Sequence, residues 1–333
     1  MTHDSIHQEN VTCSFRRALA ALCLALIALL AACGGTDGPR TTPPADGRLR
    51  VVTTLFPLYD FARSIAGERA QVSMLLPPGM EPHSFEPRPD DMLRINSAGL
   101  FVYTNPVMEP WAARIIQGVD PNRVRVINAG QGAGYRTVTP DGDADGHEHG
   151  HQHAGALDPH IWLDLDNAQL MVDNILSGFT AADPVNAAYY RGNASALKSR
   201  LADLDRRYRG GLASCERREF LHGGHYAFGY LARRYNLAYR SLSGVSSESE
   251  PSAARMAAMV RHIRESGAQY LFAEELLSPR LTETLAAEAG VRVLRLHGGH
   301  NLALDDFRAG VTFISLMDRN LVNLQKGLAC RPK

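Results

Sequence analysis

Thirteen histidines stand in this chain of 333 residues, and imidazole is a side chain suited both to proton transfer near neutral pH and to holding a borderline metal. Four of them are far apart in sequence yet share a setting. His83 lies in Pro82-His83-Ser84-Phe85-Glu86-Pro87, just after a Pro-Pro-Gly turn, and His160 in Leu157-Asp158-Pro159-His160-Ile161-Trp162-Leu163-Asp164. His225 lies in His222-Gly223-Gly224-His225, where a strand passes into a helix, and His297 in Leu296-His297-Gly298-Gly299-His300-Asn301, at the end of the last expected strand. In open α/β sheets ligands bind beyond the carboxyl ends of the strands, so such positions can converge on one cleft. Three or four imidazoles there would favour Zn2+, which takes nitrogen at about 2.0–2.1 Å in tetrahedral geometry, over Mg2+ or Ca2+, which take oxygen. A single histidine is more often a core, cap or surface residue, and no short spacing certifies this site. Three histidines and a water are also a catalytic arrangement, so a zinc-dependent secreted hydrolase is the rival reading, although neither G-x-S-x-G nor HExxH occurs.

Asp164, Glu86 and Glu274 are the carboxylates nearest these motifs and could accept the second ring N–H of a ligating histidine. Glu274 and Glu275 read equally well as salt-bridging or solvent-facing groups, and Ser278-Pro279 as a helix start with no metal role. The tract containing His147, His149, His151 and His153 has metal-binding composition, either as an auxiliary metal loop or as a solvated, loosely chelating spacer.

The elements that must position these residues follow from hydrophobic period. From residue 49, strand-like runs (49–54, 72–76, 100–103, 124–127) alternate with helical ones (58–66, 90–98, 110–117), which predicts βα units and a mostly parallel sheet. The rhythm returns with strands at 220–221, 237–242, 270–273 and 291–296 between helices near 226–235, 252–265, 279–289 and 306–326, giving two α/β lobes. Between them, from about 184 to 209, apolar residues recur every three or four positions from Tyr189 to Tyr208. That is an amphipathic helix, either a strut between lobes or an ordinary surface helix. Residues 131–156 break the rhythm and read as a loop.

Arg16-Arg17 before an apolar run from Ala18 to Ala32 reads as a secretory signal, too short to span a bilayer. Leu30-Ala31-Ala32-Cys33 resembles a bacterial lipobox, which implies cleavage before Cys33 and lipidation of Cys33 as the first mature residue, residues 1–33 forming the lipoprotein signal with its anchor. Residues 34–48 then form a flexible tether. Cys215 and Cys330 remain in the folded part, and in an oxidising compartment such a pair reads as one disulfide, or else as two buried thiols. Formal net charge is zero, which gives no reason to expect a nucleic-acid partner.

The four strings Pro82 to Pro87, Asp158 to Asp164, His225 to Tyr230 and Ser315 to Leu321, in that order, resemble the zinc/manganese substrate-binding proteins of bacterial ABC importers. The resemblance spans nearly the whole chain from about residue 50. It implies an N-terminal lobe at 49–182, a long linking helix at 183–210 and a C-terminal lobe at 211–333. It also implies a metal in the interlobe cleft, held by His83, His160 and His225. Manganese receptors of this family place a carboxylate where this chain has His225, so Zn2+ is expected ahead of Mn2+. At the family's fourth position the chain departs from the usual Asp, leaving His297 first, with His300 or water as alternatives. The implied role is a monomeric, lipid-anchored extracytoplasmic receptor, not an enzyme, that delivers zinc to the permease and ATPase of an importer. A surface adhesin on the same scaffold is the alternative.

Overall fold

The computed structural model describes residues 47–138, 157–245, 251–274 and 279–331. The signal and Cys33, the tether up to residue 46, the four histidines of the 147–153 tract, Glu275 and Ser278 lie outside the described residues.

The first lobe is built on four parallel strands, β1 (Leu49–Thr53), β2 (Ala70–Met74), β3 (Leu100–Tyr103) and β4 (Arg125–Asn128), in the order β2-β1-β3-β4. Val51, Val52 and the run Leu100-Phe101-Val102 are buried, as expected of central strands covered on both faces. Three helices connect the strands: α1 (Phe56–Ala66), α2 (Pro89–Asn96) and α3 (Ala112–Gln117). Part of the expected loop is ordered otherwise, because Arg136 and Thr137 (β5) pair antiparallel with Asp158 and Leu157 (β6). Tyr230 of the second lobe pins this stem, its hydroxyl accepting from the N–H of Arg136 and donating to the carbonyl of Asp158, both at 3.2 Å.

A helix that periodicity did not bring out follows, α4 (Leu165–Ala182), with Asp164 as N-cap accepting from the N–H of Asp166. After it runs α5 (Ala187–Leu212), 26 residues or about 39 Å at 1.5 Å per residue. Its buried stripe is Tyr190, Ala194, Leu197, Leu201, Leu204, Tyr208 and Leu212, whereas Tyr189 faces solvent. Near its start Asn193 donates to the carbonyl of Ile65 in α1, and near its end the Tyr208 hydroxyl donates to the carbonyl of Met317 in the other lobe. It therefore touches both lobes, the strut reading of the pattern.

The second sheet, β7 (Glu219–His222), β8 (Ala238–Ser241), β9 (Tyr270–Glu274) and β10 (Arg292–Leu296), has the order β10-β9-β7-β8, all parallel. Each sheet thus places its first strand between its second and third, and the topology repeats. The helices here are α6 (Gly229–Arg234), α7 (Ala253–Ser266), α8 (Pro279–Ala289), α9 (Leu304–Arg308) and α10 (Phe313–Gly327). The single helix expected over 306–326 is broken in two. Gly310 turns with φ 71°, and Thr312 then caps α10 in a reciprocal pair with Ser315. A disulfide joins Cys215, beyond α5, to Cys330, beyond α10. No helix among the described residues is long and apolar enough to cross a membrane.

Candidate metal centre

β7 and β9 flank the point where strand order reverses in the second sheet, and their carboxyl ends carry His222 and Glu274. The turn after β7 is closed by Gly223 and Gly224. A Cβ on Gly224 would stand 2.9 Å from Glu274 Oε2 and 2.7 Å from His222 Cε1, so only glycine lets this turn lie against the carboxylate. The turn delivers His225, 1 % exposed, with Nδ1 at 2.6 Å from Glu274 Oε2.

From the first lobe comes His160, fully buried, in the short turn between β6 and α4. Asp158 Oδ1 accepts from both the backbone N–H of His160, at 3.0 Å, and its Nδ1, at 2.8 Å. Both rings are thus held from behind by a carboxylate on Nδ1 and present Nε2 forward. The two Nε2 atoms face each other at 3.3 Å. Half-buried His83, on the loop after β2, completes a group whose ligand atoms all lie within 4.8 Å of one another. His83 Nε2 is buried and has no hydrogen-bond partner among the described residues.

Two imidazoles that both spend Nδ1–H on a carboxylate aim two lone pairs at one point, which is unfavourable unless a cation or proton lies between them. A tetrahedral ion with Zn–N near 2.05 Å has an N···N edge of about 3.3 Å. The observed separation matches that edge.

His300 lies beside this group. Its ring centroid is 5.9 Å from that of His225 and 6.4 Å from that of His160, and Nε2 is 3.6 Å from Glu274 Oε1. Gly298 is needed for this approach, since a Cβ there would meet His300 Nδ1 at 2.7 Å. His297 is engaged elsewhere: Nδ1 accepts from the N–H of Gly299 at 2.9 Å, and its backbone pairs with the amide of Asn320 through two 2.8 Å bonds. Of the two expected fourth donors, the fold brings the ring of His300 beside the three histidines and turns that of His297 to its own loop.

Charge follows the same geometry. Burial, reinforced by the charges of His225 and His300, lowers His83 to about 4, and burial with His225 holds His160 well below the ordinary value. Burial also lowers His300 to about 4, outweighing the pull of Glu274. His225 goes the other way, because the charge and hydrogen bond of Glu274 overcome its burial. Burial would raise Glu274, but His225 draws it down to about 2. Of these imidazoles His225 alone is therefore biased toward its protonated form, by the carboxylate of Glu274.

Of the carboxylates named from sequence, Glu274 alone backs a histidine. Glu86 is exposed, and Asp164 caps α4 and pairs with Arg234. Asp158 is an orienting group that the sequence motifs do not single out, although its place two residues before His160, across a proline, is a signal for it.

The family described as zinc-uptake complex component A, periplasmic, matches residues 51–327. The zinc-binding lipoprotein AdcA of Streptococcus pneumoniae is 35% identical over 297 residues, 87% of this chain and 58% of that protein, so this chain spans little more than half of that relative. The high-affinity zinc uptake system protein ZnuA of Bacillus subtilis is 34% identical over 300 residues, 90% of this chain and 94% of that protein. The crystal structure of the Zn(II)-bound ZnuA-like domain of the pneumococcal AdcA superposes with a TM-score of 0.72 at 33% identity, covering 85% of this chain and 99% of that domain. With both sheets, the histidine cluster and a match across residues 51–327 in agreement, the chain belongs to the family of periplasmic zinc-uptake component A proteins.

Proposed function

We propose that this chain captures Zn2+ between its two lobes, outside the cytoplasm, and hands it to the permease of an ATP-driven importer. The observation that carries the reading is the facing pair of Nε2 atoms of His160 and His225, 3.3 Å apart and each fixed from behind by a carboxylate. His83 supplies the third donor, and the nearness of the His300 ring supports it as the fourth, ahead of His297. An all-nitrogen cage favours Zn2+ over Mn2+. Family membership and the names of the zinc-uptake relatives support delivery to an importer. Anchoring through Cys33 and metal collection by His147, His149, His151 and His153 complete the reading. Competition with a chromogenic chelator tests it: one zinc should bind tightly per chain, without turnover of ester or peptide substrates. His160→Ala and His225→Ala should each weaken binding about 100-fold or more, and unchanged affinity in either would overturn the assignment.

A further inference from the structure

His160 and His225 each have a carboxylate hydrogen-bonded to the ring, whereas the carboxylate beside His83, Glu81, accepts only its backbone N–H, at 3.2 Å. Its loop, 77–85, must be held by other means. The turn Pro77-Pro78-Gly79-Met80 opens this loop, with Gly79 at φ 83° and the N–H of Met80 on the carbonyl of Pro77. What grips the turn comes from the other lobe. Asn301, fully buried, donates its carboxamide N–H groups to the carbonyl of Pro77 at 2.8 Å and to that of Met80 at 2.7 Å. Its Oδ1 accepts from the N–H of Leu302, so every polar atom of the amide is engaged. On either side, the carbonyl of Leu302 accepts from the N–H of Gly79, and that of His300 from the N–H of Phe56.

We propose that Asn301 is a positioning residue of the metal site, a carboxamide that fixes the His83 loop of one lobe against the His300 loop of the other. The proposal rests on the zinc reading given above. An amide suits the task because both N–H groups point at carbonyl oxygens three residues apart, and both loops carry a donor imidazole next to the contact. Asn301→Asp replaces the NH2 with an acceptor oxygen facing two carbonyls, so the loop is repelled while side-chain volume is kept.

The experiment uses the full chain, with folding checked by circular dichroism. It measures zinc release into excess chelator and the visible spectrum of the Co2+-substituted protein. Asn301→Asp should still bind one metal, but release it about tenfold faster or more, as loss of an orienting group does, with a weaker visible band as a water replaces His83. Asn301→Ser, which keeps one donor, should fall between that variant and the unaltered chain, and it carries the test if Asn301→Asp does not fold. Asn193→Asp, which breaks the hydrogen bond from α5 to the carbonyl of Ile65 in α1, should leave release and spectrum unchanged. The proposal is overturned if the Asn301 variants match the unaltered chain in both readouts, or if Asn193→Asp shifts them equally. Absence of tight zinc binding by the unaltered chain would instead defeat the zinc reading itself.

Discussion

At the scale of single residues, three imidazoles of the cluster resist a proton and one, His225, favours it. Since His225 alone is raised, by Glu274, while His83, His160 and His300 are lowered, the proton that zinc displaces from this site is that of His225. Calorimetric titration at pH 7 in buffers of different ionisation enthalpy should therefore give release of no more than about one proton per zinc, and a value near three would contradict the burial argument. Asp158 deserves a separate test because its oxygen fixes both the backbone and the ring of His160. Asp158→Asn should cost about 10–100-fold in zinc affinity while the chain stays folded. The three central histidines were legible because each sits in a distinctive string at a turn rich in proline or glycine. The choice between His297 and His300 was not, because it depends on Gly299, whose φ of 75° sends one ring toward its own backbone and the other toward the cleft. Two adjacent glycines announce a turn without giving its direction.

At the scale of elements, α6 and the start of α4 are bound together by one guanidinium. Arg234, only 6 % exposed at its side chain, lies 2.7 Å from Asp164, Asp166 and Asp205, which belong to the cap and first turn of α4 and to α5. Asp166 is largely exposed and adds little, so the energy resides in the pairs with Asp164 and Asp205. Replacing Arg234 by Met would leave those carboxylates crowded and partly buried. Urea unfolding should show a loss of about 2–3 kcal/mol, with Arg234→Lys recovering under half because an ammonium cannot fork between several carboxylates. Strand positions and the long helix were legible from period alone, since parallel strands and a two-sided helix leave strong patterns. α4 was hidden because its start overlaps the His160 string, and the split between α9 and α10 because one glycine does not by itself end a helix in sequence. The pairing of β5 with β6 comes from a contact with Tyr230, 72 residues beyond Asp158, which no local pattern encodes.

At the scale of the whole molecule, the lobes are joined by polar contacts that need no metal. The indole of Trp162 donates to the carbonyl of Gly298 at 2.8 Å, Asp60 accepts from the N–H of Phe313 at 2.9 Å, and α5 packs on helices of both lobes. Zinc then adds free energy to an arrangement already close to its bound geometry, and should raise stability more than it changes shape. At a free zinc concentration 1,000-fold above Kd the gain should be about 4 kcal/mol, seen as a higher melting temperature. Small-angle scattering of metal-free and zinc-loaded protein at pH 7 should nearly superimpose. Acid should act on the metal-free form in a defined sense. His83, His160, His222 and His300 have lower pKa values folded than unfolded, so between about 4 and the ordinary 6.5 the unfolded chain binds more protons. The contribution of these four is complete above about pH 6.5 and is lost as pH falls toward 4, up to about 1.4 kcal/mol per unit of each shift, whereas Asp158 and Glu109, raised by burial to about 7, oppose it over the same window. With four histidines against two carboxylates, urea midpoints between pH 7 and 5 should fall for the metal-free chain and less for the zinc-loaded one, whose imidazoles are occupied. Equal slopes would mean that the titrating histidines are not those of the cleft.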